Sequence, residues 1–272
     1  MASFLKKGAD TTFLDFSQLT AFIAKDRSLS SNGVDLLSFD SLVVRDLGRR
    51  GSQDVAFRFE ALQILESLDI PIVNPPSAIA RAANKFATSL ALQHDGVPTP
   101  KTIVTTSPEE ASNALQKWGK AVSKPLFGYK GKDILLLEEG DEAKLRSVLE
   151  KDGLVYLQEF ITSISPRDIR AFVVGGRVLG AIFRVAPPGQ WISNLARGGH
   201  AKPCPVASEL ADLAVRSSNA VGTVYCGVDL LETDEGLKVI EVNGTPSGRG
   251  IFEALGVNVT EAIADHVMKF QA

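Results

Sequence analysis

Three oxygen-bearing side chains near the C-terminus, Asp229, Glu241 and Asn243, have the spacing of a divalent-cation site. Glu241 and Asn243 are two residues apart, and they would share one face of a strand because side chains alternate along it. The stretch 233–236 reads Thr-Asp-Glu-Gly, which is typical of a hairpin turn. A three-residue loop with Gly236 in the left-handed conformation predicts that Asp229 lies opposite Glu241. Facing carboxylates between apolar residues are costly to bury unless a cation joins them, and Mg²⁺ suits such ligands. A solvated face of an edge hairpin is the alternative.

A second candidate is the segment 124–133, which holds two glycines and three lysines after a predicted strand. Glycine lets backbone N–H groups turn toward an anion, and lysine adds compact positive charge. The segment therefore resembles a phosphate-binding flap. It is not a P-loop, because the spacing differs and a strand rather than a helix follows. A basic hairpin turn is the alternative.

Three arginines are further candidates. Arg170 and Arg184 lie between apolar residues of predicted strands, and Arg197 precedes two glycines. A buried guanidinium needs an anionic partner, and its planar fork suits a carboxylate or a phosphate. A structural salt bridge is the alternative for each. Lys85, taken alone, reads as a surface lysine on a helix.

The predicted elements are those of an α/β (α+β) chain. Hairpins are expected at 169–185, with Gly175-Gly176 as the turn, and at 225–243. Strands and helices alternate without a strict βαβ rhythm, so mixed sheets are expected rather than one parallel sheet. The other predicted strands are 11–16, 42–45, 70–74, 121–126 and 134–137. The predicted helices are 55–68, 77–94, one beginning with Ser107 and Pro108, 207–221 and 260–270.

Composition excludes several classes of protein. The net charge of −3 over 272 residues gives no basic field for nucleic acid, and no apolar run has the length of a membrane helix. The first seven residues lack the core of a signal peptide. Two cysteines form no metal-ligand or disulfide pattern, which favours a cytoplasmic location. Three histidines and the lack of a nucleophile-elbow motif give no support for a His metal site or a catalytic triad.

A series of segments then occurs in a specific order from about residue 43 to the C-terminus. They are 44–48, 74–76, 84–86, 96–102, 124–128, 158–161, 168–172, Asn194 with 197–199, 227–230 and 241–243. In this order the chain resembles the ATP-grasp ligases of the RimK type. Within them it is most similar to the methanogen enzymes that add L-glutamate to tetrahydromethanopterin-like or deazaflavin cofactors.

The resemblance implies an ATP-grasp fold with a small N-terminal α/β domain (1–76), a central lobe with the glycine-rich flap (77–160) and a C-terminal lobe with the metal site (161–272). Such chains open with a strand before the first helix. Residues 4–8 look like the end of that helix here, so the first strand is expected to be missing.

The resemblance also implies roles for matching residues. Those expected to bind ATP are Lys85, Lys124, Gly128, Tyr129, Lys130, Gly131, Gln158, Glu159, Phe160, Asp168, Arg184, Ser193 and Asn194. Asp229, Glu241 and Asn243 are expected to hold two Mg²⁺ or Mn²⁺ ions. Arg170 and Arg197 are expected to be the catalytic residues, near the transferred phosphate and the acyl acceptor. The expected substrate contacts are Arg45, Arg197, Thr245 and Ser247. One departure is Ile192, where many relatives carry a basic residue, so no phosphate contact is expected there.

The implied reaction joins L-glutamate to a small-molecule carboxylate acceptor through an acyl-phosphate, in a homo-oligomer (dimer or tetramer) without nucleic-acid or membrane partners. Two alternatives stay open. One is a RimK-type ligase acting on a protein C-terminus or an amino-acid carrier protein. The other is a nucleotide-binding module without catalysis.

Overall fold

The computed structural model describes residues 1–24, 28–48, 52–128, 131–190, 193, 195 and 198–271. Within these residues the strands form four sheets of three, two, four and five strands. None of the described helices is both long and apolar enough to cross a lipid bilayer.

The N-terminal part contains two small sheets. The first is antiparallel and consists of β1 (Leu19–Phe22), β2 (Ser28–Ser31) and β3 (Val34–Asp35). The second pairs β4 (Leu42–Val43) and β5 (Ile72–Val73) in parallel, and α2 (Ser52–Ser67) connects them. Helix α1 (Ala2–Leu5) instead contacts the last helix of the chain.

The strand predicted at 11–16 is wrong. Residues 11–15 are irregular, and a 3₁₀ turn follows at Phe16–Gln18. The Asp15 carboxylate accepts a hydrogen bond of 2.9 Å from the backbone N–H of Ser17. This local side-chain bond offers the backbone an alternative to strand pairing.

The single helix predicted at 77–94 is two helices, α3 (Pro76–Ala83) and α4 (Lys85–His94). Asn84 separates them with extended backbone angles, and its side-chain oxygen accepts from the N–H groups of Phe86 and Ala87. Asparagine is a favoured residue at this capping position. Lys85 therefore begins a helix beside the glycine-rich loop, where its N–H donates to the carbonyl of Leu126 at 3.2 Å.

The four-stranded sheet is antiparallel and has the order β6-β9-β7-β8. Its strands are β6 (Thr102–Thr105), β7 (Lys120–Lys124), β8 (Leu135–Glu138) and β9 (Val155–Glu159). Helices α5 (Pro108–Trp118) and α6 (Glu142–Asp152) pack on it around Leu115, Leu137 and Leu145. The predicted start of α5 is confirmed, because the Ser107 hydroxyl caps the N–H of Glu110 at 3.3 Å.

The five-stranded sheet is also antiparallel, with the order β12-β11-β10-β13-β14. Its strands are β10 (Arg167–Val174), β11 (Arg177–Val185), β12 (His200–Cys204), β13 (Tyr225–Thr233) and β14 (Gly236–Asn243). Both predicted hairpins are confirmed. The expectation of mixed sheets is wrong for the two larger sheets. Parallel pairing occurs only between β4 and β5 in the part of the chain that the structure describes.

The two faces of the five-stranded sheet are covered by different helices. Ile169, Ala171 and Val173 of β10 point toward α7 (Ser208–Val221) in one apolar core. The opposite face is covered at one end by α8 (Arg249–Leu255) and α9 (Val259–Val267), which pack on residues such as Phe172. Because side chains alternate, Asp168 and Arg170 share this second face beyond the apolar cover. The fold therefore leaves the charged end of the face for a site.

A β-bulge sets the register of the last hairpin. Its turn has two residues between the paired Thr233 and Gly236, so the predicted three-residue loop is wrong. The register shifts by one residue next to Asp229, and Asp229 pairs with Glu241 as predicted. A bulge places two residues of one strand against one of its partner. It brings the two carboxylates together without a longer turn.

The domain limits at residues 76 and 160 stay predictions. Helices α3 and α4 belong to the predicted central lobe, yet both contact α7 and β14 of the five-stranded sheet. Leu92 and Val97 accordingly lie in the same core as Ile169.

Candidate active site

Two cavities meet on the charged face of the five-stranded sheet. The first has a volume of 430 Å³ and lies between the four- and five-stranded sheets, with Lys124 on one wall and Asp229 on the other. The second has a volume of 1410 Å³ and is bounded by Arg45, the loop 244–248 and α8. Gly128, Arg184 and Glu241 line both cavities. A molecule in one cavity can therefore reach a molecule in the other at these residues.

The structure places each described residue of the predicted site in one of these cavities. Those along the first are Lys85, Lys124, Gly128, Gly131, Gln158, Glu159, Phe160, Asp168, Arg184, Ser193, Asp229 and Glu241. Those along the second are Arg45, Gly128, Arg170, Arg184, Glu241, Asn243, Thr245 and Ser247. Tyr129, Lys130, Ile192, Asn194 and Arg197 lie outside the described residues.

Two lysines approach the first cavity from neighbouring elements. Lys124 Nζ donates to Gln158 Oε1 at 2.6 Å, and Lys85 Nζ donates to the Gly128 carbonyl at 3.3 Å. Burial lowers the pKa of Lys124 to about 8, Glu241 opposes this shift, and Lys85 adds to it. Bound phosphate would favour the charged form of both side chains, so this pair is suited to hold an anion.

Gly128 allows the loop to pass close to these lysines. A Cβ atom at this position would lie 2.6 Å from Pro125 Cγ and 3.6 Å from Lys85 Nζ. The first distance is too short for any side chain without movement of the proline. The glycine is therefore required by the close approach of backbone, proline and lysine.

The side chains of Gln158 and Glu159 form hydrogen bonds with neighbouring residues of the protein. Gln158 is buried, and its Nε2 donates to Thr102 Oγ1 and to the Tyr156 hydroxyl, both at 3.1 Å. The Glu159 carboxylate binds Lys101 through Nζ at 2.9 Å and through the backbone N–H at 3.0 Å. These contacts orient Gln158 toward Lys124 and leave the backbone of β9 along the cavity wall.

Buried arginines and aspartates form a chain across three strands. Arg184 binds Asp168 through Nε at 2.6 Å and through Nη2 at 2.5 Å, and the same Nη2 lies 2.7 Å from Asp229 Oδ2. Arg170 binds both oxygens of Asp229, with Nη2 2.7 Å from Oδ2. Burial opposes the charge of Asp229, but Arg170 and Arg184 outweigh it and hold the pKa of this carboxyl below its usual value.

Burial likewise opposes the charge of Arg184, and Asp229 and Asp168 raise its pKa above the ordinary value. The chain Asp168–Arg184–Asp229–Arg170 thus carries fixed charges at the junction of the cavities. Such preorganised charge can stabilise an anion without reorganisation.

Glu241 differs from Asp229, its cross-strand partner. Within the described ranges its carboxylate has no hydrogen bond or ion pair, although it lines both cavities. Asn243 Oδ1 accepts the N–H of Thr245 at 2.9 Å and keeps a second lone pair. Among the described residues no group of three or more His, Cys, Asp or Glu side chains could hold a metal by itself. Glu241 and Asn243 fit a cation such as Mg²⁺, which takes few protein oxygens and adds phosphate ligands.

A comparison of the sequence with protein-family models matches the RimK-like ATP-grasp domain over residues 82–267. The chain belongs to the RimK-like ATP-grasp family. This confirms the predicted ATP-grasp fold and the predicted class of ATP-dependent ligase, and it supports ATP and Mg²⁺ in general.

Similar proteins agree with this family. The tetrahydromethanopterin:alpha-L-glutamate ligase of Methanosarcina acetivorans is 41% identical, over 88% of this chain and 83% of that protein. The ligase of the same name from Methanocaldococcus jannaschii is 39% identical, over 85% of this chain and 80% of its own. The solved structure of the ATP-grasp ligase PsnB with a phosphomimetic variant of its minimal precursor, Mg and ADP has a TM-score of 0.77. It covers 100% of this chain and 93% of that one, but at 19% identity it shows the fold alone.

Other residues of this RimK-like ATP-grasp chain line the first cavity without having been predicted. Leu231 and Ile240 supply an apolar floor, and Ile240 is the extra residue of the bulge. Ser165 lies in the loop after β9, and its buried hydroxyl has no partner among the described residues. The Ser- and Pro-containing stretch 162–166 indicates a loop from sequence, but only the tertiary fold brings it over the cavity.

Proposed function

We propose that this ATP-dependent ligase adds L-glutamate to a carboxylate of a tetrahydromethanopterin-like acceptor through an acyl-phosphate. One observation carries the proposal. The lysine-lined cavity and the larger cavity share Gly128, Arg184 and Glu241. A phosphoryl group on a nucleotide in the first cavity would meet a carboxylate in the second at this junction. The relatives named for glutamate transfer to tetrahydromethanopterin support the choice of substrates.

The reaction has two balanced steps. A carboxylate oxygen of the acceptor bonds to the γ-phosphorus of ATP, and the bond from this phosphorus to the β-γ bridging oxygen breaks, leaving ADP. The amine of L-glutamate then bonds to the acyl carbon, phosphate leaves with the electrons of the C–O bond, and the nitrogen releases a proton. No side chain acts as a nucleophile.

The residues of the chain act by position and charge. Lys85 and Lys124 offset the negative charge of the phosphates, and Arg170 and Arg184 face the group in transfer from the sheet. The glycine-containing loop at Gly128 closes the cavity wall and limits access of water, which would hydrolyse an acyl-phosphate.

Glu241 and Asn243 would hold the cation. Bound Mg²⁺ supplies charge neutralisation to the phosphate oxygens. Both oxygens of Asp229 already accept hydrogen bonds from Arg170 or Arg184. If Asp229 also binds the metal, its carboxylate would be shared between the metal and these arginines. We further propose that Mn²⁺ can replace Mg²⁺, that two ions bind, and that the enzyme works as a cytoplasmic homo-oligomer. Its two buried free cysteines agree with a reducing compartment.

The test uses Glu241→Gln, which keeps the shape of the side chain and removes its charge. The control is Glu235→Gln on the turn of the same hairpin, outside both cavities. ADP release is measured with ATP, Mg²⁺, L-glutamate and tetrahydromethanopterin, and the product is identified by mass spectrometry. Glu241→Gln should lose several kcal/mol of transition-state stabilisation, so its kcat/KM should fall about 100-fold or more below the wild-type value.

The control should retain wild-type turnover. Full activity of Glu241→Gln would refute the assignment of the cation site. ADP release only with a peptide acceptor would favour the RimK-type alternative, and nucleotide binding without any ADP release would favour a non-catalytic module.

A further inference from the structure

Two hydroxyl groups that lie outside both cavities hold the amide of Gln158 behind Lys124. Gln158 of β9 pairs with Thr102 of β6, and its side chain shares one face of β9 with that of Tyr156, two residues earlier. Gln158 Nε2 donates to Thr102 Oγ1 and to the Tyr156 hydroxyl, both at 3.1 Å. Gln158 Oε1 accepts from Lys124 Nζ at 2.6 Å. Since Thr102 and Tyr156 line neither cavity, they can act on a bound molecule through Gln158 and Lys124.

The charge of Lys124 decides which way the Gln158 amide points. Lys124 is an ammonium below its pKa of about 8, and an ammonium donates hydrogen bonds but accepts none. The atom of Gln158 that faces it must therefore be the amide oxygen, and the amide NH₂ group must face the two hydroxyls. A reversed amide would direct its N–H groups at the ammonium and would break the bond of 2.6 Å.

The two hydroxyl groups are set to accept these N–H groups. Thr102 Oγ1 donates its own hydrogen to the carbonyl of Pro100 at 3.0 Å. Burial raises the pKa of Tyr156, so its hydroxyl stays protonated, and Ser89 Oγ lies 2.8 Å away as the acceptor of this hydrogen. Both oxygens are thus left to accept from the amide. The hydrogen bonds therefore have a single direction, from the ammonium through the amide to the hydroxyls.

The position of the Lys124 ammonium depends on this network because a lysine side chain is flexible. Gln158 is the hydrogen-bonding partner of Lys124 Nζ among the described residues. At the other end of the network, Ser89 belongs to α4, which begins with Lys85. The network thus ties the ammonium of one lysine of the first cavity to the helix that carries the other.

We propose that Thr102 and Tyr156 are positioning residues of the nucleotide site. Their hydroxyl oxygens orient the Gln158 amide so that it holds the Lys124 ammonium toward the nucleotide phosphates. This inference rests on the proposed binding of these phosphates by Lys124. Because the ammonium is held in place before binding, less conformational freedom is lost when a phosphate binds.

The experiment removes the hydroxyls with little change in side-chain shape, by Thr102→Val, Tyr156→Phe and their combination. Thr102→Ser keeps a hydroxyl at the same position. The matched control is Tyr225→Phe, since Tyr225 is also buried, donates its hydroxyl to the carbonyl of Val44 and lies outside both cavities. The Kd of ADP is measured by calorimetry with Mg²⁺, at a pH below the pKa of Lys124. Urea unfolding monitors the fold of each variant.

The combined variant should raise the Kd of ADP by about 10-fold or more, and each single variant by a smaller factor. Thr102→Ser and Tyr225→Phe should keep the wild-type Kd, although Tyr225→Phe removes a buried hydrogen bond.

The same substitutions in a Lys124→Met background separate positioning from a general structural effect. Without the ammonium the hydroxyls have nothing to position, so the combined variant should change the Kd of ADP by less than about 2-fold in this background.

A wild-type Kd in the combined variant would overturn the proposal. So would an equal factor in both backgrounds, which indicates a general structural defect. Where the combined variant does not fold, Thr102→Val compared with Thr102→Ser decides by the same criteria. Absence of ADP binding by the wild type would instead refute the nucleotide site and with it the ligase function, so the two failures are distinguishable.

Discussion

The replacement Asp229→Ala tests whether the buried ion pairs of the site also hold the fold together. The side chain of Asp229 is 2% exposed, and those of its partners Arg184 and Arg170 are 6% and 18% exposed. Removing one member of a buried pair leaves an uncompensated charge and costs about 3–5 kcal/mol. Arg184 keeps Asp168 in the variant, so most of this cost comes from Arg170, whose ion-pair partner among the described residues is Asp229.

The measurement is urea unfolding, followed by circular dichroism, of nucleotide-free protein in a chelator, so that no bound metal contributes. Asp212→Ala serves as the control, because Asp212 and Arg216 form a pair 63% and 40% exposed, and such a pair contributes less than about 1 kcal/mol. Removing Arg170 together with Asp229 should restore part of the stability, since it removes the orphaned charge. A loss for Asp229→Ala no larger than that of the control would refute this reasoning.

Further predictions concern charge, space and hydrogen bonding at the site. Because burial lowers the pKa of Lys124 to about 8, calorimetric ADP affinity should fall as pH rises above about 8, whereas Lys124→Arg should show no such fall. Without nucleotide, Lys124 binds more protons in the unfolded chain than in the folded protein between pH about 8 and its ordinary pKa of 10.5. The contribution of Lys124 to the free energy of unfolding should therefore rise with pH over this range. Gly227→Ala would place a Cβ 2.9 Å from Arg170 Cδ, and the displaced guanidinium should lower kcat by about 100-fold without changing the KM for ATP. Asn74→Ala removes a buried side chain that joins backbone groups at 2.6–3.0 Å, which should cost at least about 3 kcal/mol in urea unfolding.

Each of these outcomes has a clear contrary result. A pH-independent ADP affinity in the wild type would show that Lys124 does not lose its charge in this range. Unchanged kcat in Gly227→Ala would show that the position of Arg170 is not critical. Wild-type stability of Asn74→Ala would show that water replaces its bonds to the strand of Tyr225.

Local sequence signals were sufficient for the hairpins, whereas the pairing of Asp229 with Glu241 was predicted from a three-residue loop and is produced in the structure by a bulge. Apolar residues, glycine turns and the period of two identify 169–185 and 225–243, because strand pairing across a short turn depends on nearby residues. The capped start of α5 is equally local. Motif order was sufficient for the family, since the segments that resemble it occur in a characteristic order along the chain.

Sequence alone failed where distant contacts or local side-chain bonds decide the conformation. Asn84 divides an apolar stretch that reads as one helix, because its side chain caps the second half. The bulge at Ile240 cannot be read from the turn residues, because it depends on keeping Val239 and Val242 in one core while Asp229 meets Glu241.

The sequence by itself determined the family, the two hairpins and the kinds of residue that could bind ATP and a cation. Only the tertiary structure decided which of these residues form ion pairs with one another and which face the cavities. It ties Asp229 to two arginines and leaves Glu241 open at the junction of two cavities. The physical reason is that ion pairing and burial depend on distances between strands far apart in sequence, which residue types and spacing do not specify.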